Sequence, residues 1–139
     1  MYSRDKMKVL PLGKKLTIAI DLDGTVADTS RIDFSKVDKR PSELMKAKPI
    51  RGALEAVRKL YREGHIIVFH SSRNNGSKKV TKKWLEKHGF PFHHIVMDKF
   101  TAHVYIDDRA IRASNWKHVM REFKKPNLPG KLARRKGMI

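Results

Sequence analysis

The sequence of 139 residues contains no cysteine. This absence excludes disulfide bonds, a thiolate nucleophile and cysteine-ligated zinc. The sequence also lacks an apolar run near the roughly 20 residues that span a bilayer, and its basic N-terminal segment has no apolar core of the kind a secretory signal needs. The length leaves room for one core, and a hydrophobic content of 40% is close to that of globular proteins. We expect a cytoplasmic protein with a single folded domain.

Acidic residues are also scarce. Lys and Arg number 32 against 14 Asp and Glu, which gives a net charge of +18. A field of this sign attracts polyanions and accelerates their encounter with the protein, most strongly at low salt. Basic residues are concentrated in three stretches, 6–15, 78–87 and 117–136. The charge predicts a polyanionic partner such as nucleic acid; the alternative is that it only keeps the protein soluble.

Short apolar, β-branched runs indicate strands, and apolar residues at helical spacing indicate helices. The predicted strands are 16–20, 65–70, 95–97 and 104–106, and the first two of them are expected to be buried. Helices are predicted between about 53 and 63, from Ser77 to before Gly89, and over about 114–123. Strands that alternate with helices predict crossover connections and a parallel sheet.

The predicted fold class is therefore α/β, with a three-layer, Rossmann-like parallel sheet and helices on both faces. We expect this catalytic domain to cover residues 1–123. Residues 124–139 form a basic segment that includes Pro126, Pro129 and Gly130, and we expect it to be a flexible tail. Ligands of such sheets bind beyond the carboxyl ends of the strands.

Two carboxylates follow the first predicted strand in the segment Asp21-Leu22-Asp23-Gly24-Thr25. Alternate side chains of an extended chain share a side, so Asp21 and Asp23 can face one bound group. Gly24 then permits a sharp turn, and Thr25 offers a hydroxyl. One carboxylate can attack phosphorus while the second protonates the leaving group. The alternatives are an ordinary turn rich in Asp and Gly, or a calcium loop, for which the glycine stands too close to the first Asp.

A second acidic pair, Asp107 and Asp108, follows the last predicted strand. Placed opposite Asp21, this pair would complete an oxygen site for Mg²⁺, which prefers few carboxylates together with water and phosphate oxygens. The alternative is a solvated turn with an ion pair to Arg109. Either acid of the pair, or both, could be the ligand.

Three further residues are candidates for holding phosphate. Ser71 and Ser72 follow the second predicted strand, where hydroxyl and backbone N–H groups can contact phosphate oxygens. Lys99 precedes the fourth predicted strand and could neutralise charge on a transferring phosphoryl group. The alternative for the serines is ordinary loop polarity, and a single lysine among 32 basic residues is weak as a signal.

In order and spacing, these segments resemble the four motifs of the haloacid dehalogenase superfamily over residues 16 to about 116. The segment from Asp21 to Thr25 is similar to the first motif, Ser71 to the second, Lys99 to the third, and the Asp107-Asp108 pair to the fourth. The resemblance implies that Asp21 forms a phosphoenzyme and that Asp23 works as acid and then as base. It also implies that Mg²⁺ is held by Asp21, by the main-chain carbonyl of Asp23, and by Asp107 or Asp108 or both.

Too few residues lie between the motifs for a folded cap domain, so the chain resembles the cap-less phosphatases of this superfamily. An open site admits phosphates carried by large molecules. We therefore expect a magnesium-dependent phosphomonoesterase, with nucleic-acid ends or nucleotides as the first hypothesis for its substrate. The alternatives are a phosphatase of sugar phosphates or other small metabolites, and a nucleic-acid-binding protein without catalytic activity.

Overall fold

The computed structural model describes residues 15–125. The predicted basic tail, 124–139, lies outside the described residues apart from its first two lysines. The basic stretch 6–15 lies outside them apart from Lys15. The predicted division of the chain at residue 123 therefore stays a prediction.

The main sheet has three parallel strands in the order β1-β4-β5, formed by Thr17–Asp21, Ile66–His70 and His94–Val96. Thr17 pairs with Ile66 and Asp21 with His70, so β1 and β4 end level with each other. Two short strands, β2 and β3, pair antiparallel outside this sheet and are formed by Ala27–Asp28 and Lys48–Pro49. The predicted α/β fold with a parallel sheet is confirmed, and β5 begins one residue earlier than predicted.

Three helices occupy the described residues close to their predicted positions: α1 (Ala53–Arg62), α2 (Lys78–Lys87) and α3 (Trp116–Glu122). Ser77 precedes α2 as predicted, but its side chain makes no capping hydrogen bond. The Asn115 side chain does cap α3, because it accepts the backbone N–H of His118 at 2.8 Å. Within residues 15–125, no helix has the length and apolarity needed to cross a bilayer.

The core lies between β4 and the helices on either side of it in the chain. Its most deeply buried side chains include Val57, Leu60, Ile67, Phe69, Trp84 and Leu85. The ring of Phe90 stacks on Trp84 at 5.6 Å and meets Phe69 edge to face at 6.1 Å. Burial of each large apolar side chain contributes about 1.5–3 kcal/mol. This packing fixes β4, and with it the loop that follows β4.

Strand β1 is less buried than predicted. Ile20 is buried, whereas Thr17 and Ala19 are exposed. The physical reason is position: among residues 15–125, β1 pairs only with β4 and forms one edge of the sheet. An apolar composition identified the strand correctly but could not tell an edge strand from a central one.

The fourth predicted strand, residues 104–106, is wrong for this structure. The segment has no strand pairing, and Ile106 is 99% exposed. Its hydrogen bonds are local, since the Tyr105 hydroxyl donates to the Phe100 carbonyl and accepts the Ala102 N–H. β-branched and aromatic residues suit a strand, but a strand also needs an edge to pair with. This segment lies apart from the sheet.

Candidate active site

The parallel register brings two loops to one edge of the sheet. Asp21 ends β1 and pairs with His70, which ends β4, so Ser71 begins its loop beside Asp21. Carboxyl ends of parallel strands are where ligands bind in such folds. The predicted meeting of the first acidic segment with the loop after β4 is therefore present.

The turn after β1 is tightly closed by its own backbone. The Leu22 carbonyl accepts the N–H groups of Thr25, Val26 and Ala27 at 2.9–3.0 Å. Gly24 has a φ of +81°, the left-handed region that favours glycine, while a Cβ there would meet no atom within 4 Å. Backbone conformation, not space, therefore requires glycine at this position.

The turn is also anchored from a distant part of the chain. The indole N–H of Trp116, at the start of α3, donates to the Thr25 carbonyl at 2.8 Å. Trp84 likewise donates to the Ala47 carbonyl at 2.9 Å and holds the segment that returns to β3. Two tryptophans thus brace the two ends of the connection between Thr25 and β3.

Asp23 is held by a residue that the sequence did not single out. Arg73 donates from Nη2 to Oδ1 of Asp23 at 2.6 Å and from Nε to Oδ2 at 3.0 Å. The Arg73 side chain is only 6% exposed, and its Nη1 also donates to the Thr81 hydroxyl at 2.9 Å. A two-point contact of this geometry orients the Asp23 carboxylate toward the buried guanidinium. Its only sequence signal was a place two residues after Ser71, in a chain with 32 basic residues.

The loop after β4 is joined to Lys99 through the backbone. The Lys99 N–H donates to the Ser71 carbonyl at 2.9 Å, and the Asp98 N–H donates to the Arg73 carbonyl at 2.8 Å. Asp98 has a φ of +59°, which few residues other than glycine adopt. The structure thus brings Lys99 beside Ser71, as predicted for a shared site.

The side chains of these residues differ in their exposure. Ser71 is buried, and its hydroxyl accepts the Arg73 N–H at 3.0 Å, so it supports the loop. Ser72 is exposed, Thr25 is half-buried, and the Lys99 ammonium lies 4.8 Å from the centre of the Tyr105 ring. Ser72 is therefore the most accessible of the predicted phosphate-binding groups, and Lys99 is half-buried like Thr25.

Charged groups of the site affect the pKa of His70. Burial lowers the pKa of His70, the positive charge of Lys99 lowers it further, and the Asp21 carboxylate acts in the opposite direction. Lys99 and Asp21 are thus both close enough to influence the same imidazole. Nothing in the sequence pattern indicated that His70 lies in this electrostatic environment.

Asp107 and Asp108 are not gathered with Asp21 and Asp23. Both are exposed, and Oδ1 of Asp107 accepts the N–H of Arg109 at 2.7 Å. No group of three or more potential metal-ligating side chains occurs among residues 15–125. The donors agree with Mg²⁺ in kind, since the Asp23 carbonyl accepts no hydrogen bond from the described residues and Asp21 is a half-buried carboxylate. In this arrangement the set of candidate Mg²⁺ ligands is incomplete, because Asp107 and Asp108 lie apart from Asp21.

A pocket of about 320 Å³ opens beside Asp23. Its walls come from the segment between β2 and β3 and from the loop after β4. They are formed by Asp23, Phe34, Val37, Asp38, Ser72, Arg73, Asn74 and Ser77. Two of these side chains are apolar and six are polar, so a ligand bound here would be held mainly by polar contacts.

The parallel sheet and the acidic turn at its edge define a small α/β domain of the haloacid dehalogenase type. Residues 18–125 match the family model described as PITM 1-3, LNS2 domain, and the chain belongs to that family. The family is phosphatase-like and has the same type of fold. The fold expected from the four motifs is therefore confirmed.

Several solved structures are similar to this chain. A target protein from Vibrio cholerae has a TM-score of 0.57 and 25% identity, over 80% of this chain and 97% of that one. A chain of the Pnkp1/Rnl/Hen1 RNA repair complex has a TM-score of 0.53 and 17% identity, over 85% and 35%. The class C acid phosphatase from Bacillus anthracis has a TM-score of 0.52 and 24% identity, over 68% and 44%. The last two likenesses establish the fold alone. A comparison with curated proteins finds no match.

Proposed function

We propose that this domain is a magnesium-dependent phosphomonoesterase in which Asp21 is the nucleophile and Asp23 the general acid and base. One observation carries the proposal: β1 and β4 end level, with Asp21 beside the Ser71 loop and Asp23 bound to Arg73 of that loop. Membership of a phosphatase-like family supports the same reaction class.

The proposed reaction has two half-steps. A carboxylate oxygen of Asp21 bonds to phosphorus while the bond from phosphorus to the leaving oxygen breaks, and Asp23 gives that oxygen a proton. Water then attacks the phosphorus of the aspartyl phosphate and loses a proton to Asp23, while the bond from phosphorus to the Asp21 oxygen breaks. Inorganic phosphate leaves, and both carboxyl groups return to their starting states.

The contact with Arg73 bears on the role of Asp23. Both oxygens of Asp23 accept guanidinium hydrogen bonds, and this two-point contact holds them toward Arg73. In both half-steps one oxygen of Asp23 must therefore turn from the guanidinium. It would donate a proton to the leaving group in the first half-step and accept one from water in the second.

Thr25, Ser71, Ser72 and Lys99 are the proposed contacts for phosphate oxygens. Lys99 has the charge to stabilise the transferring group, and hydroxyls with backbone N–H groups can direct it. Asp21, the Asp23 carbonyl, and Asp107 or Asp108 or both would hold Mg²⁺, which would neutralise phosphate charge beside two carboxylates. For the acidic pair to serve, residues 104–108 would have to approach the open edge of β1, where Asp21 ends the strand.

The proposed substrate is a nucleotide or a nucleic-acid end. Helix α2 begins directly after Ser77 of the pocket wall, and five of its lysines are exposed: Lys78, Lys79, Lys82, Lys83 and Lys87. Among residues 15–125 none of the five forms an ion pair. A basic surface next to a site recruits polyanionic substrates in preference to neutral ones.

The test is hydrolysis of an aryl phosphate by the wild type and by Asp21→Asn. We expect magnesium-dependent turnover and a phosphorylated Asp21 in acid-quenched protein, with loss of both in the variant by roughly 10⁴-fold or more. The control is Glu55→Gln, which changes an exposed acid on α1. Wild-type activity in Asp21→Asn would remove Asp21 from the chemistry.

A further inference from the structure

The pocket beside Asp23 has a defined place in the proposed reaction. A general acid must lie within hydrogen-bond reach of the leaving oxygen, about 2.6–3.2 Å away. Asp23 forms part of the pocket wall. The body of the leaving group therefore lies in or over this pocket, whatever compound carries the phosphate.

One wall of the pocket presents an aromatic ring. Phe34 is 46% exposed and does not belong to the apolar core. It is the first residue of a short 3-10 turn, Phe34–Lys36. Val37, one residue after the turn, is buried and supports the apolar side of the pocket. An exposed ring on a pocket wall offers a flat face on which a nucleobase can stack.

Asp38 and Asn74 form a polar side of the pocket. The Asn74 amide donates to Oδ1 of Asp38 at 3.3 Å, so this contact occupies one oxygen of the carboxylate. The second oxygen of Asp38 and the amide oxygen of Asn74 are acceptors. An occupant with amino or hydroxyl donors would satisfy them, whereas a further anionic group would be repelled by Asp38, which has no ion pair within residues 15–125.

We infer that the pocket formed by Phe34, Asp38 and Asn74 beside Asp23 binds the nucleoside to which the scissile phosphate is attached. The base stacks on Phe34, and its amino groups or the sugar hydroxyls donate to Asp38 and Asn74. The inference adds the kind of leaving group to the proposed function. It rests on that function, because the role of Asp23 as general acid places the leaving group at this pocket. A pocket of about 320 Å³ accommodates one nucleoside, so recognition is limited to the terminal unit.

The first measurement is turnover of a nucleoside monophosphate compared with acetyl phosphate, which has no ring and no donor. Phe34→Ala should raise KM for the nucleotide by about 5- to 100-fold, the range of base stacking on an aromatic side chain. It should change kcat/KM for acetyl phosphate by less than about twofold, and Phe34→Tyr should keep the wild-type KM. Tyr61→Ala is the matched control, since Tyr61 is also exposed but lies near the end of α1 that precedes β4.

Asp38→Asn tests the polar side of the pocket. It should raise KM for nucleotides, because their amino and hydroxyl donors lose the charged acceptor of Asp38. Turnover of acetyl phosphate should be unchanged, because acetyl phosphate has no such donors. Equal losses on both substrates in Phe34→Ala and Asp38→Asn would overturn the inference, since a subsite acts on one substrate only. A Phe34-dependent preference for phosphotyrosine peptides over nucleotides would overturn it too, because the phenyl ring has no donors for Asp38.

A binding measurement separates this inference from the proposed reaction. Adenosine without phosphate should bind the wild type and Asp21→Asn alike in ligand-observed NMR, and should lose that signal with Phe34→Ala. Adenosine binding in a protein with no phosphatase activity would keep the subsite and reject the proposed function. Phosphatase activity without adenosine binding and without a Phe34 effect would reject the subsite and keep the proposed function.

Discussion

Both carboxylate oxygens of Asp23 accept hydrogen bonds from the guanidinium of Arg73, at 2.6 and 3.0 Å. The two residues come from loops that follow different strands, β1 and β4. The guanidinium is almost fully covered, while the carboxylate keeps 26% of its surface exposed. Arg73 therefore acts as the fixed partner, and Asp23 is the one that can turn toward a substrate.

Replacement of Arg73 should disturb the position of the Asp23 carboxylate more than it lowers the stability of the fold. Arg73→Lys keeps the charge but loses the two-point fork, so we expect kcat to fall by roughly 10²-fold, the cost of a misplaced catalytic group. Arg73→Ala also leaves Thr81 without its partner and should lower the free energy of unfolding by about 1–3 kcal/mol. Arg58→Ala on α1 is the control in steady-state kinetics and urea unfolding. Unchanged kcat in Arg73→Lys would contradict a positioning role.

Asp23→Asn should separate acid catalysis from nucleophilic attack. Substrates with poor leaving groups need a proton and should slow by about 10²–10⁴-fold, whereas aryl phosphates need little protonation and should slow far less. The measurement is kcat across a series of phosphate esters with leaving groups of different basicity. Equal damage across the series would mean that Asp23 does not donate the proton.

The activity of variants of Asp107 and Asp108 should depend on the concentration of Mg²⁺. Asp107→Ala and Asp108→Ala should lower activity, and excess Mg²⁺ should restore part of it in at least one of them, because loss of one ligand weakens metal binding. In the wild type we expect Mg²⁺ to slow amide exchange in residues 104–106 as they pair with β1. Glu86→Gln on α2 is the control. Full activity in excess chelator would exclude the metal from the reaction.

His70 gives a pH dependence of stability. Its pKa lies below the ordinary value of 6.5 in the folded protein, so near and below pH 6.5 the unfolded chain binds more protons than the folded one. Stability should therefore fall as the pH drops through 6.5 and should be unaffected by this group well above it. Urea unfolding at pH 7.5 and 5.5 should show a smaller loss for His70→Gln than for the wild type.

A second histidine must be controlled in that experiment. Burial and then the charge of Lys87 lower the pKa of His88 as well, so His88→Gln should also reduce the loss, and the double variant should reduce it further. The lowered pKa values of Asp28, Asp33, Glu43 and Glu122 act only at more acidic pH, below their ordinary values of 3.8 and 4.5. No change in the pH dependence for His70→Gln would contradict the assignment.

The lysines of α2 should contact phosphates of an oligonucleotide. Lys79 and Lys83 lie one turn apart on the helix, and their double change to Gln should make the slope of log affinity against log salt shallower by about 0.7–0.9 per lost contact. Turnover of acetyl phosphate should be unchanged. Lys59→Gln with Arg62→Gln, exposed on α1, is the matched control. A slope equal to that of the wild type would leave the α2 charge as a contribution to solubility.

The sequence allowed the prediction of the parts that depend on local chemistry. The turn from Asp21 to Thr25 could be predicted because strand, acids and glycine are adjacent in the chain. Arg73 could not be selected, because its significance comes from a contact across 50 residues and basic residues are abundant. The strand at 104–106 was predicted from composition and proved wrong, since pairing depends on an edge that composition does not describe.

The hydrogen bond from Trp116 to the Thr25 carbonyl joins groups 91 residues apart in the chain. During synthesis the acids at 21 and 23 leave the ribosome early, but the turn that carries them receives this brace only when residue 116 has emerged. Folding during translation proceeds from the N-terminus. A nascent chain therefore exposes its acidic turn without this support until the residues of α3 have been synthesised.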